Sequence, residues 1–326
     1  MVLTSTSAPK VFGDWAYLAI EKHFQKTIKH ESDVLNDKDP EALHQMRVGM
    51  RRLRTAVTSF APAITLPKAA RDQNIGKIAR RLGELRDLDV LQDTLQNQYL
   101  PTLPKSEQKT FKKVLATLEK DRQDSLEKVH KTLKQERYLE LKQAFKKWLE
   151  EPNYGAFAEF SIEDVLPDLL LPLVSELLLH PAWLVGVKLE AGEIEAKNDL
   201  DSKLVVELLN NQGDLLHSLR KQAKGVRYQM ELFTDFYSSA YQNYVTDIKS
   251  IQQILGRIQD SFVLAEFLTD TLNTEIAVEL PTLSTQLSSD RYEAWQEWRS
   301  LQQRYLNSQT RKNVHQTILT PILTEG

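Results

Sequence analysis

Apolar residues recur every three or four positions along nearly the whole chain, and alternating runs rich in Val, Ile and Thr are missing. Leu, Glu, Gln, Lys, Arg and Ala dominate, while the 326 residues include only 11 Gly and 12 Pro. Both features favour helix over sheet. The pattern predicts helices over roughly 11–32, 40–62, 67–99, 105–150, 162–186, 200–242, 244–276 and 287–318. The breaks fall on turn chemistry. "NDKDP" ends at Pro40, "APAITLP" carries Pro62 and Pro67, "LPTLP" carries Pro101 and Pro104, and "EEPNYG" ends at Gly155. The stretch 187–199, "VKLEAGEIEAKND", reads as a polar linker between the fifth and sixth helices, and "ELPTLSTQLSSD" reads as the separator of the last two. The predicted fold class is all-α, with two four-helix bundles covering 1–155 and 156–326.

The two halves are related. Shifting the sequence by 173 residues places His44 on His217, Arg47 on Arg220, Arg51 on Lys224, Arg54 on Arg227 and Phe60 on Phe233. The same ungapped shift places Ile78 on Ile251, Leu82 on Leu255, Gly83 on Gly256, Asp87 on Asp260 and Leu91 on Leu264. The chain reads as an internal duplication, with a pseudo-twofold axis expected between the copies.

Charge makes the matched positions notable. The chain holds 42 Lys+Arg against 45 Asp+Glu, for a net charge of -3, so any basic cluster is local. At about 100° per residue, His44, Arg47, Arg51 and Arg54 fall within a sector of about 80° on one helix. Met46, Met50, Leu53, Val57 and Phe60 occupy the adjacent sector and are candidate core. His217, Arg220, Lys224 and Arg227 repeat the stripe beside Leu219, Ala223, Val226, Met230 and Phe233. Lining up like charges destabilises an isolated helix by tenths of a kcal/mol per pair. Here that cost is incurred twice in one register, and an anion lying along the stripe would offset it. The neighbours meanwhile diverge: Gln45 corresponds to Ser218, Val48 to Lys221 and Gly49 to Gln222.

The doubled His-x2-Arg-x3-Arg/Lys-x2-Arg pattern, with "RLGELRDLDVL" after the first copy, resembles the CHAD family, the conserved histidine α-helical domain. The resemblance spans about 11–320. It implies two pseudo-symmetric four-helix bundles whose basic helices line a central, positively charged cavity that binds inorganic polyphosphate. The ligand positions it implies are His44, Arg47, Arg51, Arg54, His217, Arg220, Lys224 and Arg227. At Gln259 the second copy lacks the arginine that Arg86 supplies in the first, so Arg86 is expected to serve structure together with Asp87.

Independent chemistry points the same way. A linear polyanion without base, sugar or apolar handle is held by charge-assisted hydrogen bonds, which the forked guanidinium supplies best. A second tier of candidates is Lys22, Lys26 and Lys29 on the first helix, with Lys77, Arg80, Arg81 and Lys221 near the stripes. Nucleic acid is the alternative ligand, disfavoured by a pI near 6.2 and by few aromatics beside the stripes, Tyr228 excepted.

Other chemistries find little support. With no cysteine, disulfides and thiolate metal sites are excluded. P-loop, G-x-G-x-x-G and G-x-S-x-G motifs are absent. Glu193-x-Glu195-x-Lys197 matches the signature of triphosphate tunnel enzymes, but a predicted all-helical chain offers no barrel for it. Asp87, Asp89 and Asp93 scatter around a helix, which weakens a magnesium reading, and the remaining histidines lack zinc-helix spacing. His44 and His217 could share a metal only amid crowding arginines. No cofactor, metal site or catalytic group is expected. The start "MVLTSTSAPK" has no secretory pattern, and Val165 to Val187 is broken by Pro and acidic residues, so a cytoplasmic protein without a membrane span is expected. Polyphosphate granules, or an enzyme that metabolises polyphosphate, are the partners the resemblance suggests.

Overall fold

The structure is a computed structural model that describes residues 11–190, 193–196 and 200–322. Twelve α-helices appear among the described residues: α1 (Phe12–Lys29), α2 (Glu31–Asn36), α3 (Pro40–Ser59), α4 (Asp72–Asp93), α5 (Lys105–Lys134), α6 (Glu136–Glu150), α7 (Ile162–Leu178), α8 (Ser202–Leu232), α9 (Ser239–Leu272), α10 (Ile276–Glu279), α11 (Pro281–Leu306) and α12 (Ser308–Leu319). The two basic helices start on the expected signals. Asp39 caps α3 by accepting from the Glu41 amide at 2.8 Å, with Pro40 in the first turn. Asp201 caps α8 by accepting from the Leu204 amide at 2.8 Å.

Five expected boundaries are corrected. The segment read as a polar linker contains an antiparallel hairpin, β1 (Val187–Glu190) and β2 (Glu193–Ala196), in the register Val187↔Ala196. Lys197 of the Glu-x-Glu-x-Lys signature, and the side chains of 188–199, lie outside the described residues. The break expected near 243 falls at 233–238 instead. Phe233, Phe236, Tyr237 and Tyr241 are all buried, so the apolar rhythm runs straight across that turn and hides it. "PTLSTQLSSD" is the start of α11 rather than a separator: Pro281 occupies the first turn, where its missing N–H is no loss, and Leu283 and Leu287 are buried. Finally, the helix expected over 105–150 is divided at Gln135, and the one expected over 162–186 ends at Leu178.

The chain forms two compact units. Among the described residues, one comprises 11–101 and 115–165, the other 102–114, 166–190, 193–196 and 200–322. In the first unit, Ile20 and Phe24 of α1, Met46, Met50 and Leu53 of α3, Ile78 and Leu82 of α4, and Phe145 of α6 are essentially inaccessible. Gly49 lets α3 approach α1 closely: a Cβ there would lie 2.9 Å from the Thr27 backbone nitrogen. In the second unit, Leu219, Ala223 and Met230 of α8, Ile251 and Leu255 of α9, and Trp295 and Trp298 of α11 form the core. The two tryptophans are thus packing residues. Trp183 stacks on Tyr305 at 5.6 Å and lies 5.1 Å from Trp298.

Candidate functional site

The buried side of α3 turns its apolar sector into the first unit, which leaves His44, Arg47 and Arg51 half-buried and Arg54 exposed along the flank. Helix α4 packs on α3. Its Gly83 faces Arg47: a Cβ there would stand 3.5 Å from the arginine Nε. One turn further along α4, the Asp87 carboxylate lies 3.6 Å from Arg47 Nη2. The guanidinium therefore lies across a glycine and ends at an aspartate.

Helices α8 and α9 of the second unit repeat this arrangement at the shifted positions. A Cβ at Gly256 would lie 3.2 Å from Arg220 Nε, and Arg220 Nη2 is 3.3 Å from Asp260 Oδ1. A side chain at Gly256 would therefore push the guanidinium away. Asp87 and Asp260 remain 75% and 71% exposed, so both carboxylates stay hydrated and are only loosely tied to their arginines. Sequence comparison matched both glycines and both aspartates, but gave Asp87 only a structural role beside Arg86 and the other three none. The legible signal was their spacing: Gly and Asp one turn apart, on one helix face, in both copies. Asp87 is thus a partner of Arg47 rather than of Arg86. The other two acids of the magnesium reading are engaged separately, Asp89 by Arg122 and Asp93 by Asn97.

The C-terminal ends of the two stripes differ. Arg54 lies near Gly76, is 51% exposed and forms a two-point contact with Asp72, the longer bond at 3.2 Å. Arg227 is 11% exposed, 3.4 Å from Glu231 on its own helix, with its guanidinium 4.5 Å from the Tyr228 ring centroid. Arg54 is open to a ligand, whereas Arg227 is largely enclosed. Arg51 and Lys224 are both half-buried.

Both stripe histidines titrate below the usual imidazole range. Burial is the main cause for each. Arg86, Arg47 and Arg51 then push His44 down against an opposing Glu41, and Lys221 and Arg220 push His217 down against Asp214 and Asp260. Arg86 therefore belongs electrostatically with the first stripe, and Lys221 with the second. The lysines of α1 group elsewhere. Lys22 and Lys26, with Arg52, surround buried His23, and burial together with these cations pushes its imidazole down to about 4. Arg52 projects about 80° from His44 on the side away from Arg47, Arg51 and Arg54. Lys29 is exposed in the last turn of α1.

A recess adjoins α4, and another lies against the matching face of α9. The first, about 210 Å³, is lined by Lys77, Arg80, Arg81, Glu84, Gln135 and Arg137 among others. The second, about 600 Å³, is lined by Arg220, Ser250, Gln253, Arg257, Asp260 and Glu297 among others. Among the described residues, no group of three or more His, Asp or Glu is placed to hold a metal, and no helix is long and apolar enough to cross a membrane.

These features define a class: an all-α protein whose helical units each present a basic helix seated against a glycine- and aspartate-bearing partner. Residues 18–269 match the CHAD domain model, and the chain belongs to that family, some members of which bind polyphosphate. The fold is similar to the crystal structure of the CHAD domain from the plant Ricinus communis, at 22% identity over 98% of this chain and 96% of that one, with a TM-score of 0.60. It is also similar to PptA from Streptomyces chartreusis, at 15% identity over 91% and 100% of the two chains, with a TM-score of 0.65. At these identities the likeness is one of fold. No curated protein matches the chain.

Proposed function

We propose that this protein binds inorganic polyphosphate without transforming it, in a basic cavity to which both stripes contribute: His44, Arg47, Arg51 and Arg54, with His217, Arg220, Lys224 and Arg227. One observation carries the reading. Two separate helix pairs, 173 residues apart in sequence, present an arginine in the same seat, flanked by a half-buried histidine and a further cation. The Arg47 and Arg220 side chains are 25% and 22% exposed, so each seated guanidinium still reaches solvent, where phosphoryl oxygens can compete for it. Nucleic acid fits less well. The one aromatic residue beside the stripes, Tyr228, already has the Arg227 guanidinium over its ring, where a base would stack. The proposed setting is the cytoplasm, in keeping with a cysteine-free chain, either free or at polyphosphate granules.

Charge removal in each half tests the reading. Arg47→Ala with Arg51→Ala should weaken long-chain polyphosphate binding about thirtyfold or more, and Arg220→Ala with Lys224→Ala should do likewise, given about 1–1.5 kcal/mol per partly screened contact. Calorimetry reads both affinity and stoichiometry. Unchanged affinity in both variants would remove the stripes from the site. Halved stoichiometry at intact affinity would mean two independent sites in place of one shared cavity.

A further inference from the structure

Aromatic side chains are buried or half-buried almost throughout. Among the described residues, which include all 5 Trp, 10 Tyr and 11 Phe, only Phe157 and Phe160 are exposed, at 47% and 51%. Single exposed apolar side chains are ordinary on a protein surface. These two form a pair, with ring centroids 5.1 Å apart in an edge-to-face arrangement. The backbone beneath them is fixed. Asn153 accepts from the Thr65 amide at 2.9 Å, Ala158 from Gly13 at 2.9 Å and Phe160 from Phe12 at 2.8 Å. The Gly155 amide donates to Ala63 at 2.8 Å and the Phe157 amide to Pro62 at 3.4 Å. Only glycine fits at 155, since a Cβ there would stand 2.6 Å from the Pro62 carbonyl oxygen. Buried Ala158 anchors the stretch between the two rings. The loop therefore holds both rings in water on a rigid frame, and little conformational entropy remains to be lost when they are covered.

The surroundings are acidic. From Trp148 to Val165 the chain carries five acids, Glu150, Glu151, Glu159, Glu163 and Asp164, and no Lys or Arg. The phenol of Tyr154, in the same loop, is pushed up by burial and then by Asp14, Tyr17 and Glu159, so the Asp14 and Glu159 carboxylates both bear on this loop. Glu163 and Asp164 complement the first turn of α7. Glu150 and Glu151 have no such reason. They stand at the C-terminal end of α6, where the helix dipole disfavours an anion, and with Glu159 they form no ion pair among the described residues. Trp148 packs edge-on to Tyr154 at 6.4 Å, which keeps this end of α6 beside the loop. Cations supplied from outside the chain would offset the unpaired acids.

We infer that the Phe157–Phe160 pair is a docking surface for another protein, and that its partner is a basic amphipathic segment, with apolar side chains to cover the rings and Lys or Arg to meet Asp14, Glu151 and Glu159. This inference does not depend on the stripes binding polyphosphate. The probe is a dye-labelled helical peptide of Leu and Lys, followed by fluorescence anisotropy beside a peptide of the same charge in which Ser replaces Leu. The Leu–Lys peptide should bind the native protein and the stripe variant Arg47→Ala/Arg51→Ala alike. It should bind Phe157→Ser/Phe160→Ser about tenfold more weakly. A second variant, Glu151→Lys/Glu159→Lys, keeps both rings and guards against a folding artefact. There the peptide should bind about threefold to tenfold more weakly, with less salt dependence. Undiminished binding in either variant, equal binding of the Ser–Lys peptide, or no binding to the native protein would overturn the inference. A native dimer that Phe157→Ser/Phe160→Ser dissociates would overturn it too, by assigning the pair to a second copy of this chain. Failure of long-chain polyphosphate to bind the native protein would refute the stripe reading and leave this surface untouched.

Discussion

The α3–α4 pair of the first unit and the α8–α9 pair of the second hold an arginine in the same way and are supported in different ways. Each has a guanidinium lying over a glycine and ending at an exposed aspartate. Beneath α4, however, Arg122 of α5 donates to Asp37 through both terminal nitrogens, at 3.0 and 2.8 Å, and its Nε donates to buried Asp89 at 2.8 Å. At the shifted positions of Asp89 and Arg122 the second unit carries Phe262 and Trp295, the latter wholly buried. The ionic clamp of the first unit is not repeated there: Trp295 is buried, and Phe262 is half-buried with the Arg291 guanidinium 4.7 Å from its ring centroid. The seat therefore does not depend on a particular support, which is expected if the arginines, rather than the core beneath them, carry the function.

The largest expected effect separates the two supports. Arg122→Met strands the Asp89 carboxylate in a site where burial already pushes its titration up and Arg122, with a smaller contribution from Arg86, opposes that push. The variant should lose about 3 kcal/mol of stability in urea unfolding. Asp89→Leu combined with Arg122→Met should recover most of it, because the buried carboxylate is removed together with its partner. A near-neutral single variant would show that the clamp contributes little.

Acid should act on the first unit through His23. Its native imidazole titrates near 4, while an unfolded histidine titrates near 6.5. Between those values the unfolded chain binds a proton that the native chain does not, so stability falls as pH drops through this window. The full loss is about 3 kcal/mol. Denaturant titrations at pH 7 and 4.5 should show most of it, and His23→Met should flatten the slope. An unaltered slope in that variant would place the acid sensitivity elsewhere.

The smallest effect concerns the shared seat. Asp87→Asn with Asp260→Asn removes two carboxylates that compete with a bound polyanion for Arg47 and Arg220. Polyphosphate should bind about threefold to tenfold more tightly at low salt, and the gain should shrink as salt screens it. Weaker binding would mean that the carboxylates orient the arginines for the ligand instead of competing with it.

The stripe was legible in the sequence because a helix fixes which residues share a face, and the shift of 173 displayed that face twice. The buried sectors of α3 and α8 follow from the same periodicity. Partners on other helices were not legible: nothing local to Arg47 indicates Asp87, and nothing local to Arg81 indicates Arg137 across the α4 recess. Boundaries inside continuous apolar rhythm, such as 233–238, were hidden for the opposite reason, since buried aromatics continue the pattern through a turn. The hairpin at 187–196 escaped because four-residue strands are too short to establish an alternation.

Calorimetric titration of the native protein with polyphosphate of graded length, beside single-stranded RNA of equal charge, tests the central claim most directly. Affinity should rise with chain length as successive helical turns engage successive phosphates, exceed that for orthophosphate and for the RNA, and weaken as salt increases. RNA binding as tightly as polyphosphate would contradict the account and assign the stripes to nucleic acid.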